Sequence, residues 1–114
     1  MHFRPPKKFQ KPAEDPIAAA LEQEVLAEKA GTLARLNKKL EAALANIPAA
    51  DEQASDESKA LRERHLQVAG EALWFVQIQR ELCGLTRHQA FYDHMGVPKE
   101  VRVRLGPNTS RHTG

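Results

Sequence analysis

The sequence predicts an all-α protein: a long antiparallel hairpin of two helices, followed by one or two short C-terminal helices. Alanine, leucine, glutamate, lysine and arginine dominate the 114 residues, and these residue types lose little on entering a helix. Strand-forming residues never gather into an alternating run, so a sheet is not expected. Apolar residues instead recur every three or four positions through two long segments, which is the pattern of amphipathic helices.

The first long helix is predicted from about residue 15 to residue 47. Asp15 is a good N-cap, and Pro16 is tolerated at the first helical position. The apolar stripe of this helix consists of Ile17, Leu21, Val25, Leu26, Ala30, Leu33, Leu36, Leu40, Leu44 and Ile47. Pro48 ends the helix, because the residue before a proline is pushed out of the α region.

The second long helix is predicted from about residue 56 to residue 84. Its start is capped either by Ser55, with Ser58 three residues later, or by Asp56. Gly84 is a good C-terminal stop. Gly31 and Gly70 are nearly equidistant from residue 50, so a fold at that point places them at one level. There they either permit a close crossing of the two helices or face solvent.

The second helix carries more apolar surface than one neighbour can cover. One face, widened by Leu66 and Leu73, holds Leu61, His65, Val68, Ala69, Ala72, Phe75, Val76, Leu82 and Cys83. Trp74, Ile78 and Leu85 lie on the far side at ~100° per residue. The leading hypothesis is therefore an oligomerisation or protein-interaction module of unknown biological role. We expect a homodimer that completes a bundle, or else a heterologous helical partner, with the interface at Trp74, Phe75, Ile78 and Leu82. Alternatively, the third helix covers Trp74 and Ile78 within one chain.

The C-terminal part predicts a short helix from Arg87 to Met95, capped by Thr86 and closed by Gly96, and a last turn or two from Lys99 to Leu105. This order of a short helix, a glycine turn and a second short helix resembles the general helix-turn-helix motif, which implies contact with nucleic acid. It departs from that motif at Tyr92, four residues before the turn glycine, where the motif has a small residue. The alternative function is thus weak nucleic-acid binding through this segment and the basic termini. The residues expected to contact phosphates are Arg4, Lys7, Lys8, Lys11, Lys99, Arg102 and Arg104.

Charge and composition divide the chain into three predicted parts. Residues 1–12 are basic and proline-rich and are expected to be disordered, residues 13–106 form the helical domain, and residues 107–114 form a disordered tail. Residues 13–83 carry thirteen acids against eight bases, so a net acidic body lies between basic ends. The N-terminus has no apolar stretch typical of a signal peptide. Cys83 is the single cysteine, which fits a reducing compartment, so we expect a cytoplasmic protein without a membrane span.

The sequence offers no catalytic constellation, so no enzyme activity and no cofactor are predicted. His88 and His94 are six residues apart and project from opposite sides of a helix, and paired cysteines are absent, so no metal site is expected. Cys83 falls at a helix C-terminus, where a thiolate is not favoured. A small anion-binding enzyme would draw on Arg35, Lys39, Arg62 and Arg80. The simpler interpretation of these four residues is a solvated, charged face.

Overall fold

The computed structural model describes residues 15–108, and it contains four helices in that range. They are α1 (Pro16–Ala45), α2 (Asp56–Leu82), α3 (His88–Met95) and α4 (Lys99–Arg102). The two long helices pack against each other as an antiparallel pair, and α4 packs on α2. The predicted all-α hairpin with short C-terminal helices is therefore confirmed. Of the segments predicted to be disordered, residues 1–12 and residues 109–114 of the predicted tail 107–114 lie outside the described residues.

Side-chain caps set the start of each long helix. The Asp15 carboxylate accepts hydrogen bonds from the Ile17 and Ala18 backbone N–H groups at 3.0 and 3.4 Å. Ser55 Oγ accepts from the Ser58 N–H at 3.1 Å, so Ser55 rather than Asp56 caps α2. Each cap satisfies N–H groups that have no partner in the first turn of a helix.

Glycines in the left-handed conformation end α2 and α3. Gly84 has φ of +81° and Gly96 has φ of +68°. After α2, the Leu85 N–H donates to the Arg80 carbonyl at 2.9 Å, and the Gly84 N–H donates to the Glu81 carbonyl at 3.0 Å. This pair of bonds is the Schellman motif, which requires a positive φ at the glycine. The cap predicted for α3 was wrong: α3 begins after Arg87 and has no side-chain cap.

The two long helices are offset along their common axis. Gln79 Nε2 donates to the Lys29 carbonyl at 3.1 Å, and the midpoint between these two residues is residue 54, not residue 50. The first turns of α2 therefore extend past the end of α1 and lie beside the connection, where Arg62 Nε donates to the Pro48 carbonyl at 2.9 Å. At the opposite end, the N-terminal part of α1 extends past the end of α2.

The core is narrow and lies where α1, α2 and the C-terminal helices meet. Its buried apolar members are Leu40, Ala43, Leu66, Ala69, Leu73, Val76, Tyr92, Val97 and Val101. The face of α2 that is buried differs from the face predicted. Leu66 and Leu73 are at its centre, whereas Leu61, Val68, Phe75 and Leu82 are exposed. The reason is that α3 and α4 cover one side of α2 and α1 covers the adjacent side, which leaves the third side open.

Gly70 lies under the backbone that follows α4. A Cβ atom added at Gly70 would be 2.3 Å from the Arg104 carbonyl oxygen, whereas one added at Gly31 would meet only the Arg35 side chain at 3.6 Å. The expectation that the two glycines lie at one level was wrong, because the offset of the helices separates them. Gly70 instead permits the close approach of the C-terminal segment to α2.

Candidate interaction surface

Two arginine–carboxylate pairs fasten the C-terminal segment to α2. Arg104 donates from Nε and Nη2 to the Glu63 carboxylate at 2.8 and 2.7 Å. Arg62 donates from Nη1 and Nη2 to Glu100 at 2.9 and 3.0 Å. Both pairs are bidentate, which is the geometry in which an exposed ion pair contributes most. These contacts hold α4 on the α2 side that carries Gly70.

Acid should loosen this attachment. The hydrogen bonds from Arg104 and Arg62 hold the pKa values of Glu63 and Glu100 below their ordinary range. A carboxyl whose pKa is lowered by folding stabilises the folded state above its unfolded pKa, about 4.3, and that contribution is lost as the pH falls through the folded pKa. We therefore expect the free energy of unfolding to decrease as the pH is lowered past about 4.3. Chemical denaturation at a series of pH values measures this decrease. In the Glu63→Gln/Glu100→Gln variant the acid dependence should be shallower; an unchanged slope would contradict this assignment.

Arg80 joins α2 to α3 from a buried position. Its Nε donates to His88 Nδ1 at 3.3 Å, and its Nη2 donates to the Arg87 carbonyl at 3.3 Å. Its guanidinium carbon lies 4.3 Å from the centre of the Phe91 ring, a cation–π contact. His88 Nε2 is 3.1 Å from the Glu81 carboxylate. Because Nδ1 accepts from Arg80, Nε2 carries the proton and donates to Glu81.

One side of α2 presents a stripe of exposed apolar side chains. Leu61, Val68, Phe75 and Leu82 follow one another at steps of seven residues, so they drift only ~20° per step around the helix. Of the four residues predicted to form an interface, Phe75 is 44%, Ile78 38% and Leu82 57% exposed. Trp74 is half-buried, and its ring centre lies 5.2 Å from that of Phe75. Ile78 therefore remains accessible, and the third helix does not cover it.

A groove of about 450 Å³ runs between α1 and α2 along this stripe. The wall from α1 includes Leu36, Lys39 and Ala43, and the wall from α2 includes Val68, Ala72 and Phe75. We call this feature the α1–α2 groove. Its lining is mostly apolar, and its polar members are Lys39 and Asn46 of α1 and Glu71 of α2; Lys39 is exposed.

The N-terminal part of α1 is a second open surface. Because Lys29 is level with Gln79, residues 16–28 extend mostly beyond the end of α2, over a length of about 20 Å. We call residues 16–28 the arm. Every residue of the arm is exposed, and the exposure of Ile17, Leu21 and Val25 is 71%, 56% and 51%. The apolar stripe of α1 thus continues past the helix that it packs against.

Two of the three described residues that were predicted to contact nucleic acid are paired within the chain. Arg104 is paired with Glu63, and Arg102 donates to Asp93 at 2.9 Å and to the Val97 carbonyl at 2.9 Å. Lys99 is exposed, whereas α4 lies against α2 with Val101 fully buried. Arg4, Lys7, Lys8 and Lys11 lie outside the described residues. The two arginines in the C-terminal segment therefore support the fold, and the segment does not present α4 as a projecting helix.

Neither a metal site nor a membrane-spanning helix is found in the described part of the chain. Between residues 15 and 108, no three His, Cys, Asp or Glu side chains lie close enough to hold a metal ion. Over the same range, no helix combines the length and the apolar character needed to cross a bilayer. Three of the four basic residues considered for an anion pocket have separate partners: Arg35 donates to Thr32 Oγ1 at 3.0 Å, Arg62 binds Glu100, and Arg80 contacts His88. The fourth, Lys39, is exposed and lines the α1–α2 groove.

Sequence reasoning missed the arm and the groove. The signal that was present is the apolar stripe of α1, which begins as early as Ile17. The sequence did not give the offset between the two long helices. A fold at residue 50, as assumed from the sequence, would bring Ile17 level with the end of α2 and would leave no arm. The contact between Gln79 and Lys29, together with the exposure of Ile17, Leu21 and Val25, shows that this part of the stripe has no partner on α2.

Fold and surface together define a class: a helical hairpin braced on one side by short C-terminal helices and open on the other through an apolar stripe and groove. The chain belongs to a family of unknown function, DUF6665, whose family model matches residues 9–112. Neither the curated proteins nor the solved structures contain a match.

Proposed function

We propose that this protein is a homodimerising helical module whose interface is centred on the open side of α2. The observation that carries the proposal is the exposed stripe of Leu61, Val68, Phe75 and Leu82 beside the α1–α2 groove. Monomeric proteins expose single apolar side chains, whereas a contiguous apolar patch is typical of a protein–protein contact. Phe75 is the expected anchor, because buried aromatic residues contribute strongly to such interfaces.

A second copy of the chain is the partner that this surface fits best. Most soluble homo-oligomers are two-fold dimers in which the same patch lies on both sides of the interface. An exposed helical stripe with a neighbouring groove can meet its own copy as one helix pair packs on another. The proposal assigns the chain no catalytic role and no cofactor. It places the protein in the cytoplasm, where a single cysteine such as Cys83 stays reduced.

The test is the solution mass by light scattering over a range of protein concentrations. The wild-type chain should have the mass of a dimer, and Phe75→Glu/Leu82→Glu should have the mass of a monomer with unchanged helix content. Each glutamate enters a two-fold interface twice, so we expect Kd to rise by about 100-fold or more. Val103→Glu is the matched control, because Val103 is 72% exposed on the C-terminal segment; it should remain dimeric.

Two outcomes would contradict the proposal. One is a wild-type chain that has the mass of a monomer at its highest soluble concentration. The other is a wild-type dimer that Phe75→Glu/Leu82→Glu leaves intact, since the contact would then lie away from the open side of α2.

A further inference from the structure

The charges of α1 are segregated along its length. Residues 15–28 contain Asp15, Glu22, Glu24 and Glu28 and no basic residue. Residues 29–40 contain Lys29, Arg35, Lys38 and Lys39 and no acidic residue. The acidic part includes the arm, and the basic part runs beside the α1–α2 groove. Opposite charges of equal number therefore lie on adjacent segments of one helix.

The apolar side chains of the arm are on the same side of α1 as the groove. Each of the three has a counterpart eighteen positions later, in the basic segment or the groove wall. Arg35 follows Ile17 at this spacing, Lys39 follows Leu21, and Ala43 follows Val25. Eighteen residues are five full turns at 3.6 residues per turn, so both sets have the same direction around the helix axis. Because Lys39 and Ala43 line the groove, the arm and the groove form one continuous face of the molecule.

We infer that the arm of one protomer is seated in the α1–α2 groove of a second copy, with the two α1 helices antiparallel; this inference rests on the proposed dimer and specifies its register. A two-fold axis passing between residues 31 and 32 places Ile17, Leu21 and Val25 opposite residues 46, 42 and 38 of the partner helix, the first two of which line the groove. The same axis places the partner's arm in the first groove. Both arms and both grooves are filled by one operation, as an isologous interface requires.

Charge selects this orientation over the parallel one. In the antiparallel arrangement, Glu24 of the arm lies beside Lys39 of the partner helix, and Glu28 lies beside Arg35. A parallel pair would place acid against acid and base against base, and such like-charge contacts suppress a wrong arrangement. All four side chains are exposed in the single chain, so their pairing requires no rearrangement of the fold.

The test exchanges the charges on each side separately. Glu24→Lys/Glu28→Lys places lysines on the arm, and Arg35→Glu/Lys39→Glu places glutamates beside the groove. Each variant alone meets its own copy with like charges on both sides, so its Kd should be at least about tenfold higher than that of the wild type. Mixed in equal amounts, the two variants have opposite charges at both contacts and should form a heterodimer of wild-type affinity. Circular dichroism checks that both retain helix.

The outcomes separate this inference from the proposed function. A wild-type dimer that Phe75→Glu/Leu82→Glu disrupts, but whose Kd neither charge variant changes, would overturn the register while the proposed dimer stands. Weakened single variants that fail to recover on mixing would overturn it as well. A wild-type chain that remains monomeric would overturn both, and the open face would then belong to a different protein.

Discussion

Gly70→Ala should lower the free energy of unfolding by about 2–3 kcal/mol, although alanine is the better helix former. The added Cβ would be 2.3 Å from the Arg104 carbonyl oxygen and 2.8 Å from the Arg104 carbonyl carbon. Backbone atoms cannot turn aside as the end of a side chain can, so the segment after α4 must move. That movement weakens the pair between Arg104 and Glu63 and the burial of Val101. Chemical denaturation, monitored by far-ultraviolet circular dichroism, measures the loss.

Gly31→Ala is the matched control on the other long helix. Its Cβ would contact only the end of the Arg35 side chain at 3.6 Å, so the gain in helix propensity of about 1 kcal/mol should appear as added stability. The two substitutions are chemically identical and should have opposite signs when both are made in the Phe75→Glu/Leu82→Glu background, where the proposed two-fold contact near Gly31 is removed. A stabilising Gly70→Ala would show that the segment after α4 does not lie against α2.

Leu73→Ala should lower the free energy of unfolding by about 2–5 kcal/mol, the range for removing a buried leucine side chain. Leu73 is fully buried at the centre of the core, where α1 and the C-terminal segment meet on α2. The truncation removes apolar contacts and leaves a cavity that neighbouring helices cannot fill without losing their own packing. Urea denaturation curves for the variant and the wild type measure the difference.

Leu82→Ala makes the same chemical change near the end of the same helix. Leu82 is 57% exposed, so its truncation should change the free energy of unfolding of the single chain by less than about 0.5 kcal/mol. Under the proposed dimer, its effect should appear in the association constant instead. Equal losses of folding stability from Leu73→Ala and Leu82→Ala would contradict the assignment of the two faces of α2.

The ends of the long helices were predictable because they depend on local chemistry. Asp15 and Ser55 act as N-caps through bonds to residues two or three positions away, and Gly84 ends α2 through bonds within one turn. Such signals depend on residues that are close together in the sequence, so they can be recognised without the tertiary structure. The start of α3 was not predicted correctly, since no side-chain cap marks it.

The candidate surface was predictable only in part. The excess of apolar residues on α2 correctly indicated that one neighbour does not cover the helix, and it singled out Phe75, Ile78 and Leu82, which are exposed. It did not show which face would be left open, because a helical period gives the angular width of an apolar arc and not the direction of its neighbours. The roles of Arg102 and Arg104 were likewise hidden, since their partners lie nine and forty-one residues away.

By itself, the sequence determined the helical class of this protein, the positions of its helices and the presence of more apolar surface than a hairpin can bury. Those properties follow from residue propensities and from periodicity along the chain. The tertiary structure decided the offset of α1 and α2, the open side of α2 and the place of Gly70 under the C-terminal segment. These depend on how side chains from distant segments interdigitate and pair, and a local pattern does not record the level at which two helices meet.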